Sequence, residues 1–457
     1  MPNDFLTVKQ ILDGYESASF NSKEVFEFFY NRIKGIDADI KSFITVVPED
    51  KVCVAGKSIP VAYKDIFTTK NIQTTAGSHI LRGYIPPYNA TVVDKLSDSK
   101  FVCAGKLNCD AFAHGATGEN SDFFVTKNPY FLKKTAGGSS SGSAAAVAAG
   151  LVPVATATDT GGSIRLPASF TNTVGIKPTY GRVSRYGIIA MTSSTDSIGH
   201  ITKTVWDNAF VLNITAGFDP KDATSSHAKV PDYLSDIDKG ISGLKIGIPK
   251  EYLQGLDDVV EKQFDKSVKI VKSLGAEIVE VSLPHTEYAI NVYYILTPSE
   301  ISSNLARFDG IRFGKQRDQF GDEAKRRIML GTYSLSAGYY DDYYLKAQKV
   351  RTLVIEDFRK AFDKVDALMA PVFPSTVPAL GEAIVDPIKM YMMDVLTVPV
   401  NLAGLPALSV PSGFIDALPV GIQFIGKHFD EKLLYRIGYS FESETKYYEK
   451  IPNFLEK

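Results

Sequence analysis

The sequence predicts an α/β protein in which helices cover a mixed β-sheet. Strand-like and helix-like runs alternate from one end of the 457 residues to the other, as they do in proteins of this class. The composition is 44% hydrophobic and 22% charged, which is typical of a globular protein with a large core. No internal repeat and no low-complexity linker interrupts this alternation.

The first third of the chain predicts helices followed by short strands. Residues 7–35 carry apolar side chains at helical spacing, and Ser22 is placed to cap a helix. Four short apolar runs are predicted as strands: 60–66, 92–96, 101–104 and 151–158. The alanine-rich run 144–149 predicts a closely packed helix, although the Gly-Ser stretch before it has the composition of a flexible linker.

The rest of the chain predicts a β-α-β unit, a helical segment and a late strand. The β-α-β unit covers residues 244–283, and Gly275 is predicted to end its helix. Residues 299–365 are predicted as mostly helical and are rich in charge and tyrosine. Apolar residues alternate at 420–424, which predicts a strand before a C-terminal helix.

Charge and cysteine content exclude several classes of protein. The formal net charge of −2 argues against broad nucleic-acid binding, which requires a basic surface. The most basic run, 325–327, is interpreted as a solvated helix face. Cys53, Cys103 and Cys109 have neither the spacing of a zinc site nor that of a disulfide framework. We therefore predict no metal and a reducing compartment.

Two further features predict a soluble protein of the cytoplasm, with an organellar matrix as the alternative. Residues 1–4 lack the positive charge that begins a signal peptide, and no apolar core follows them. The longest apolar stretch, 144–157, is shorter than a membrane span and contains Gly150 and Pro153. We therefore expect no contact with a membrane.

Two serine-glycine clusters and one lysine are the candidates for chemistry. The glycines of 137–142 and 161–163 allow successive backbone amides to point at one oxygen, as an oxyanion hole requires. A serine beside such amides needs a base before it attacks a carbonyl. Lys64 ends an apolar run that begins at Ile59, and a lysine in apolar surroundings loses its proton readily. These residues predict acyl transfer.

The residues alone leave three assignments open. Lys64 is either the base or a strand-end lysine paired with Asp65. Ser139 and Ser140 are equally placed to take part in the first cluster. His114 is the only histidine in a glycine-rich polar loop, and it is either a base or a loop histidine whose hydrogen bonds are satisfied.

Several longer motifs resemble the amidase signature family. Residues 137–150 and 159–165 carry the resemblance to the family as a whole. Four further segments resemble the glutaminase subunits of tRNA-dependent amidotransferases within that family: 174–187, 304–312, 338–344 and 399–406. The resemblance extends over the whole chain. It implies one domain over residues 1–457, with a single large mixed sheet covered by helices on both faces.

The resemblance also implies how that domain is organised. The core signature region would cover about 55–210, and the helical segment at about 299–365 would contribute to the substrate pocket. The catalytic residues would form a Ser–cisSer–Lys triad, with Lys64 as the base, Ser139 as the bridging serine and Ser163 as the nucleophile. The backbone amides of the oxyanion hole would be those of Thr160, Gly161, Gly162 and Ser163.

Three more residues are implied to bind glutamine. Arg327 would bind its α-carboxylate and Asp394 its α-ammonium, with Tyr294 nearby. Without the resemblance, Arg327 would be interpreted as an ordinary charge on a helix surface. Asp394 lies among apolar residues, and a buried acid requires a partner in any case.

The implied function is the hydrolysis of glutamine, which would supply ammonia for converting Glu-tRNA(Gln) to Gln-tRNA(Gln). No cofactor is implied for this chain. A partner of the B type would use ATP and Mg²⁺ and make most contacts with the tRNA, and a small partner of the C type would wrap the pair in a heterotrimer. The alternative is a stand-alone amidase that acts on another carboxamide, and a less favoured one is a non-catalytic scaffold.

Three departures from the usual family pattern bear on substrate binding and subunit docking. Ser141 replaces a glycine that usually follows the serine pair. The sequence His-Gly-Ala-Thr-Gly at 114–118 replaces Met-Gly-Ser-Ser-Thr. The segment 314–320 lacks roughly twenty residues of a usual helical insertion. The triad residues are intact, so we expect these departures to affect substrate affinity and subunit docking.

Overall fold

An 11-stranded mixed β-sheet forms the centre of the molecule. The computed structural model describes residues 5–52, 54–312 and 314–452. The strands are β1 Phe43–Val46, β2 Ile59–Lys64, β3 Phe101–Leu107, β4 Lys127–Asn128, β5 Phe131–Thr135, β6 Val154–Asp159, β7 Val174–Lys177, β8 Ser197–Thr202, β9 Lys245–Pro249, β10 Glu277–Val281, β11 Ala367–Pro371, β12 Ala407–Ile415 and β13 Leu418–Ile425. The strand order in the sheet is β1-β3-β2-β6-β8-β7-β12-β13-β11-β9-β10, and β4 pairs with β5 separately.

Helices cover both faces of this sheet. Every residue of β2, β6 and β8 is therefore buried, whichever face its side chain points to. The helices are α1 Val8–Glu16, α2 Ser22–Ile40, α3 Thr91–Asp98, α4 Ser141–Ala148, α5 Arg165–Phe170, α6 Val205–Thr215, α7 Asp258–Ser273, α8 Ala289–Leu305, α9 Asp322–Ser334, α10 Lys346–Phe362, α11 Pro387–Met392, α12 Val398–Leu402 and α13 Glu431–Thr445. A π-helical turn, Tyr340–Leu345, precedes α10. The fold class predicted from the sequence is thus confirmed.

The parallel pair β2 and β6 positions the candidate site. Val61 pairs with Val154 and Ala62 with Ala155, so the two strands end side by side at the same edge of the sheet. Ligands of α/β proteins bind at the carboxyl ends of such strands. The turn 160–163 follows β6 directly, and Lys64 is the last residue of β2.

Helix α4 carries the first serine-glycine cluster to the same edge. All its residues are buried, and it contacts β2, β6 and β8. A Cβ at Gly142 would lie 2.5 Å from Ser42 O and 2.6 Å from the backbone of Asn108, so this close approach requires glycine. The prediction of a packed small-residue helix at 144–149 is therefore confirmed, and the alternative of a flexible linker is wrong.

Two local predictions are wrong. Residues 92–96 lie in helix α3 rather than in a strand, because their apolar residues at spacing i, i+1 and i+4 share one buried helix face. Asn21, and not Ser22, caps α2: its side chain accepts from Glu24 N at 3.1 Å. The Ser22 hydroxyl instead donates to Gly56 O, a tertiary contact that the local pattern does not reveal.

The C-terminal half follows its prediction closely. β9 and β10 are parallel and adjacent, and α7 connects them. Gly275, at φ +91°, follows the end of α7. The segment 299–365 is largely helical, and β13 precedes the terminal helix α13. The proposed boundaries of a signature region and a helical segment stay predictions.

Candidate active site

The Lys64 amine lies among three hydroxyl groups. Its Nζ is 2.8 Å from Ser139 Oγ and 3.0 Å from both Ser140 Oγ and Thr158 Oγ1. The lysine side chain is fully buried, and within the described chain no carboxylate contacts its amine. Burial lowers the pKa of Lys64 to about 8. A neutral amine accepts a hydrogen bond, so this arrangement is able to take a proton from a serine.

Asp65 is occupied by a different lysine. Its Oδ1 lies 3.3 Å from Lys106 Nζ, and both of these side chains are fully buried. Its Oδ2 accepts from Thr75 N at 2.9 Å. Because Asp65 is held in this ion pair, Lys64 is left with hydroxyl partners, and the alternative of a Lys64–Asp65 pair does not agree with the structure.

Ser139 is fixed by the loop that carries residues 110–120. The Gly138–Ser139 peptide is cis. Gly138 N donates to Ala116 O at 2.7 Å, and Asp110 N donates to Ser139 O at 3.3 Å. A Cβ at position 138 would overlap Asp110 Oδ2, so only glycine is accommodated there. The loop thus sets the position of the serine that contacts Lys64.

The turn 160–163 presents free backbone donors. Within the described ranges, the amide N–H groups of residues 161–163 donate to no protein acceptor. Gly162 has φ +148°, and a Cβ there would overlap Thr397 Oγ1, so this position requires glycine on two grounds. Free amides that project from one glycine turn are the elements of an oxyanion hole.

Ser163 lies at the end of this turn and is 6% exposed. Its hydroxyl makes no hydrogen bond to Lys64 or Ser139 in the part of the chain that the structure describes. The structure therefore brings Lys64 and Ser139 into direct contact. It places Ser163 just beyond the strand adjacent to that of Lys64, without a direct bond between the two side chains.

A buried ion pair holds the turn in place. Arg165 contacts Asp159 twice, from Nε to Oδ2 and from Nη2 to Oδ1, each at 3.0 Å. Burial alone would raise the pKa of Asp159, but Arg165 lowers it to about 2. Asn401 Nδ2 donates to Asp159 Oδ1 at 2.9 Å, and Thr397 Oγ1 donates to Gly161 O at 2.5 Å.

These supporting residues were missed in the sequence analysis. Thr397 and Asn401 lie far from the turn in the chain. Asn401 belongs to the segment 399–406 that carries the resemblance, but nothing in the sequence places either residue at the turn. Thr158 was also missed, although its position on β6, just before the glycine turn, is a usable signal. Side chains of a strand alternate between the two faces of the sheet, and Thr158 lies on the face that carries the Lys64 side chain.

Arg327 is buried on α9, at 2% exposure. Its Nε donates to Glu323 Oε1 at 2.7 Å, which is the only hydrogen bond it makes to a described residue. Its guanidinium lies 5.5 Å from the ring centre of Tyr294 and 5.9 Å from that of Tyr391. The interpretation of its basic run as a solvated helix face is wrong for this residue.

Asp394 lies beside the glycine turn. It is 6% exposed, and its Oδ1 is without a hydrogen-bond partner among the described residues. A Cβ at Gly162 would lie 3.0 Å from that oxygen. Burial raises the pKa of Asp394 well above its usual range, and the charge of Arg327 opposes this rise. A buried carboxyl oxygen without a partner next to free amides is typical of a ligand site.

A second tyrosine also faces the turn. A Cβ at Gly161 would lie 2.7 Å from Tyr293 OH, whereas the predicted Tyr294 stacks on Tyr391 at 3.8 Å between ring centres. The two neighbouring tyrosines meet edge to face at 5.0 Å. Tyr293 was missed because adjacent residues of a helix project in directions that sequence alone does not rank.

The described part of the chain contains no cluster of side chains arranged to hold a metal ion and no membrane-spanning helix. In residues 5–52, 54–312 and 314–452, no group of three or more His, Cys, Asp or Glu side chains is arranged to hold a metal ion. Cys103 and Cys109 are free thiols, and Cys53 lies outside the described residues. Within the same ranges, no helix is long and apolar enough to cross a membrane.

Comparisons with known proteins agree with this architecture. The solved structure of the A subunit of glutamyl-tRNA(Gln) amidotransferase from Thermotoga maritima matches with a TM-score of 0.86 and 43% identity, over 96% of this chain and 94% of that one. A bacterial aryl acylamidase of the amidase signature family matches with a TM-score of 0.86 and 25% identity, over 98% of this chain and 99% of the other.

Sequence comparisons give the same result. The A subunit of the glutamyl-tRNA(Gln) amidotransferase of Persephonella marina is 48% identical over 98% of both chains. The corresponding protein of Lactiplantibacillus plantarum is 54% identical over 86% of this chain and 84% of its own. The model of the amidase family matches residues 24–435. The chain therefore belongs to the amidase family.

Proposed function

We propose that the chain is the glutaminase subunit of a tRNA-dependent amidotransferase. It hydrolyses glutamine and supplies the ammonia that converts Glu-tRNA(Gln) to Gln-tRNA(Gln). The observation that carries the chemistry is the buried Lys64 amine, 2.8 Å from Ser139 Oγ and surrounded by hydroxyls. The full-length similarity to glutamyl-tRNA(Gln) amidotransferase A subunits supports the choice of glutamine as substrate.

The proposed reaction begins with a proton relay. Ser163 passes its proton to Ser139, which passes its own to the neutral Nζ of Lys64, while Ser163 Oγ attacks the carboxamide carbon of glutamine. An uncharged amine is required for this step, and burial supplies it by lowering the pKa of Lys64 to about 8.

The glycine turn then stabilises the intermediate. The backbone amides of Thr160, Gly161, Gly162 and Ser163 donate to the oxyanion, and each donor of this kind contributes about 2.7 to 4 kcal/mol. The proton held by Lys64 returns through Ser139 to the leaving nitrogen, so ammonia departs and an acyl-enzyme remains. Water, activated by the same relay, releases glutamate and restores Ser163.

Charged residues around the turn would select free glutamine. Arg327 donates one hydrogen bond to a described residue, and its remaining N–H groups are suited to the α-carboxylate. Asp394 has a buried oxygen that bonds to no described residue, and this oxygen is suited to the α-ammonium. The cation would restore the charged form of the carboxyl, whose pKa burial raises. Tyr294 holds the guanidinium in place through its ring.

The B and C subunits of such an amidotransferase would complete the enzyme as partners in a heterotrimer. The B subunit would use ATP and Mg²⁺. It would also make most contacts with the tRNA, since this chain carries a formal net charge of only −2.

A tyrosine patch on α9 and the π-helical turn supports a protein partner, because its large apolar side chains are exposed. The patch consists of Met329, Leu330, Tyr333, Tyr339, Tyr340 and Tyr343. This enzyme would act in the cytoplasm or in an organellar matrix.

The test is a reconstituted complex that carries Ser163→Ala. With glutamine as the nitrogen source, we expect Gln-tRNA formation to fall by about a thousandfold or more. With ammonium chloride as the source, it should persist, because the partner's chemistry does not pass through this site. Retention of glutamine-dependent activity would reject the assignment of Ser163. Faster hydrolysis of another carboxamide than of glutamine, with the partners present, would favour the stand-alone amidase.

A further inference from the structure

The ring of His114 is buried without a hydrogen-bond partner. The residue is fully buried, and neither Nδ1 nor Nε2 bonds to any described residue. Its backbone, by contrast, is satisfied, since His114 N donates to Ala111 O and its carbonyl accepts from Asn120 Nδ2. A polar ring atom buried without a partner destabilises the fold, because it gives up its hydrogen bonds to water. The expected loop histidine with satisfied hydrogen bonds is therefore not what the structure contains.

His114 lies on the loop that contacts Gly138, the residue before Ser139. Two residues further along the chain, Ala116 O accepts a hydrogen bond from Gly138 N, and this bond holds the loop against the residue that precedes Ser139. The ring of Phe112 lies 6.1 Å from the His114 ring and 5.4 Å from that of Phe320, which lies two residues before the start of α9. The loop of His114 thus contacts the residue before the relay serine, and its ring lies beside an aromatic cluster that extends to the segment before α9, the helix that carries Arg327.

The ring is uncharged and lies within the field of a cation. Burial lowers the pKa of His114 well below its usual range, and the positive charge of Arg327 lowers it further. A neutral imidazole retains one N–H donor. Arg327 itself has guanidinium N–H groups that bond to no described residue. An anionic group that reached both side chains would accept from both.

We propose that His114 binds the α-carboxylate of glutamine together with Arg327, through one ring N–H. The inference rests on the proposed glutaminase function, and it makes His114 a substrate-binding residue rather than a base. It also gives the departure at 114–118 a role, since the usual methionine of the family pattern cannot donate a hydrogen bond. The Lys64–Ser139 contact excludes the histidine from the relay, because the base position is already filled.

The experiment compares substrates that differ by one group. Glutamine carries both α-substituents, glutaramate lacks the α-ammonium, and 4-aminobutanamide lacks the α-carboxylate. Ammonia release is measured with the reconstituted complex for the native enzyme, His114→Met and His114→Gln. Methionine keeps the apolar volume, whereas glutamine at 114 restores an N–H donor.

We expect His114→Met to lower kcat/KM for glutamine and glutaramate by about tenfold, mainly through KM. The ratio of kcat/KM for glutamine to that for 4-aminobutanamide should fall by the same factor, and His114→Gln should recover part of it. An equal loss on all three substrates would show a packing role and overturn the proposal. An unchanged KM for glutamine would overturn it as well. If the native complex does not hydrolyse glutamine, the proposed function fails first, and the inference fails with it.

Discussion

Two buried lysines of this chain differ in their partners, and the difference decides what each is able to do. Lys106 lies 3.3 Å from the carboxylate of Asp65, so removing either partner would leave a buried charge unpaired. Among the described residues, the Lys64 amine hydrogen-bonds only to hydroxyls, and burial lowers its pKa to about 8. A hydroxyl does not stabilise an ammonium as a carboxylate does. The lysine with the weaker partners is therefore the one suited to accept a proton.

The pH dependence of glutamine hydrolysis follows from this pKa. The neutral form of Lys64 is the active one, and a lowered pKa means that this form is lost as the pH falls through about 8. We expect kcat/KM for ammonia release to reach half its maximum near pH 8 and to fall by about tenfold per pH unit well below that. Initial rates of ammonia release between pH 6 and 9.5 measure this profile.

A matched variant separates the charge from the packing. Arginine at position 64 keeps a long cationic side chain but cannot give up its proton at these pH values. Lys64→Arg should therefore lose activity by about a hundredfold or more at every pH, with no recovery at pH 9.5. A profile of the native enzyme that is flat from pH 6 to 9 would contradict the assignment of Lys64 as the base.

At the scale of single elements, much of the fold could be predicted because its signals are local. The β-α-β unit at 244–283 has alternation, a helical stripe and a terminal glycine, and all three agree. The strand prediction for 92–96 is wrong because the three apolar residues of this run fit a short strand and a helix equally well. The prediction of Ser22 as the helix cap is wrong because Asn21, one residue earlier, is an equally good capping residue. The Ser22 hydroxyl donates instead to the backbone carbonyl of Gly56.

The site shows the same division between local and tertiary information. The glycine turn and Lys64 are visible in the residues themselves. Ser139 and Ser140 are not distinguished by the residues, and in the structure both hydroxyls lie within 3.0 Å of the amine. Thr397 reaches the turn from a distant segment, so no motif contains it. Local sequence patterns do not reveal which distant segments of the chain the sheet brings into contact.

Helix α9 has two faces with different expected roles. Arg327 points inward at 2% exposure, whereas Leu330 and Tyr333 of the tyrosine patch are 43% and 47% exposed. We expect Leu330→Glu to weaken copurification with the B and C subunits by about tenfold or more, because a charge in the apolar centre of an interface is costly. The fraction of partner retained on a tagged copy of this chain measures the effect.

The control for the patch is an equally exposed apolar residue elsewhere. Val259 on α7 is 45% exposed and lies outside the patch, so Val259→Glu should retain the partners. Both variants should keep the unfolding midpoint of the isolated chain, since neither side chain is buried. Equal retention of the partners by Leu330→Glu and the native chain would show that this face is not an interface.

At the scale of the whole molecule, one buried lysine joins the two halves of the sheet. Lys177, at the end of β7, donates to Leu405 O at 2.7 Å and to Pro178 O at 3.0 Å. It lies 3.4 Å from Ser197 Oγ on β8, so it connects β8, β7 and the entry to β12. These acceptors are neutral, and burial lowers the pKa of Lys177 to about 7.

Stability should therefore rise with pH above neutrality. In the unfolded chain a lysine titrates at about 10.4, so between pH 7 and 10 the unfolded state binds more protons than the folded state. The free energy of unfolding then increases by about 1.4 kcal/mol per pH unit for each such lysine, and this gain is lost as the pH falls to 7. Lys64 and Lys203, whose pKa values burial lowers to about 8 and about 7, act in the same direction.

Lys177→Met isolates the contribution of one group. The variant should be less stable than the native chain at every pH, because the carbonyl oxygens of Leu405 and Pro178 lose their donor. Its unfolding midpoint in urea should nevertheless rise less steeply from pH 7 to 8.5, by about the effect of one proton. Lys262→Met, at an exposed position of α7, controls for the loss of a lysine in general. If Lys177→Met keeps the native slope, Lys177 is not the group whose titration links the stability of the sheet to pH.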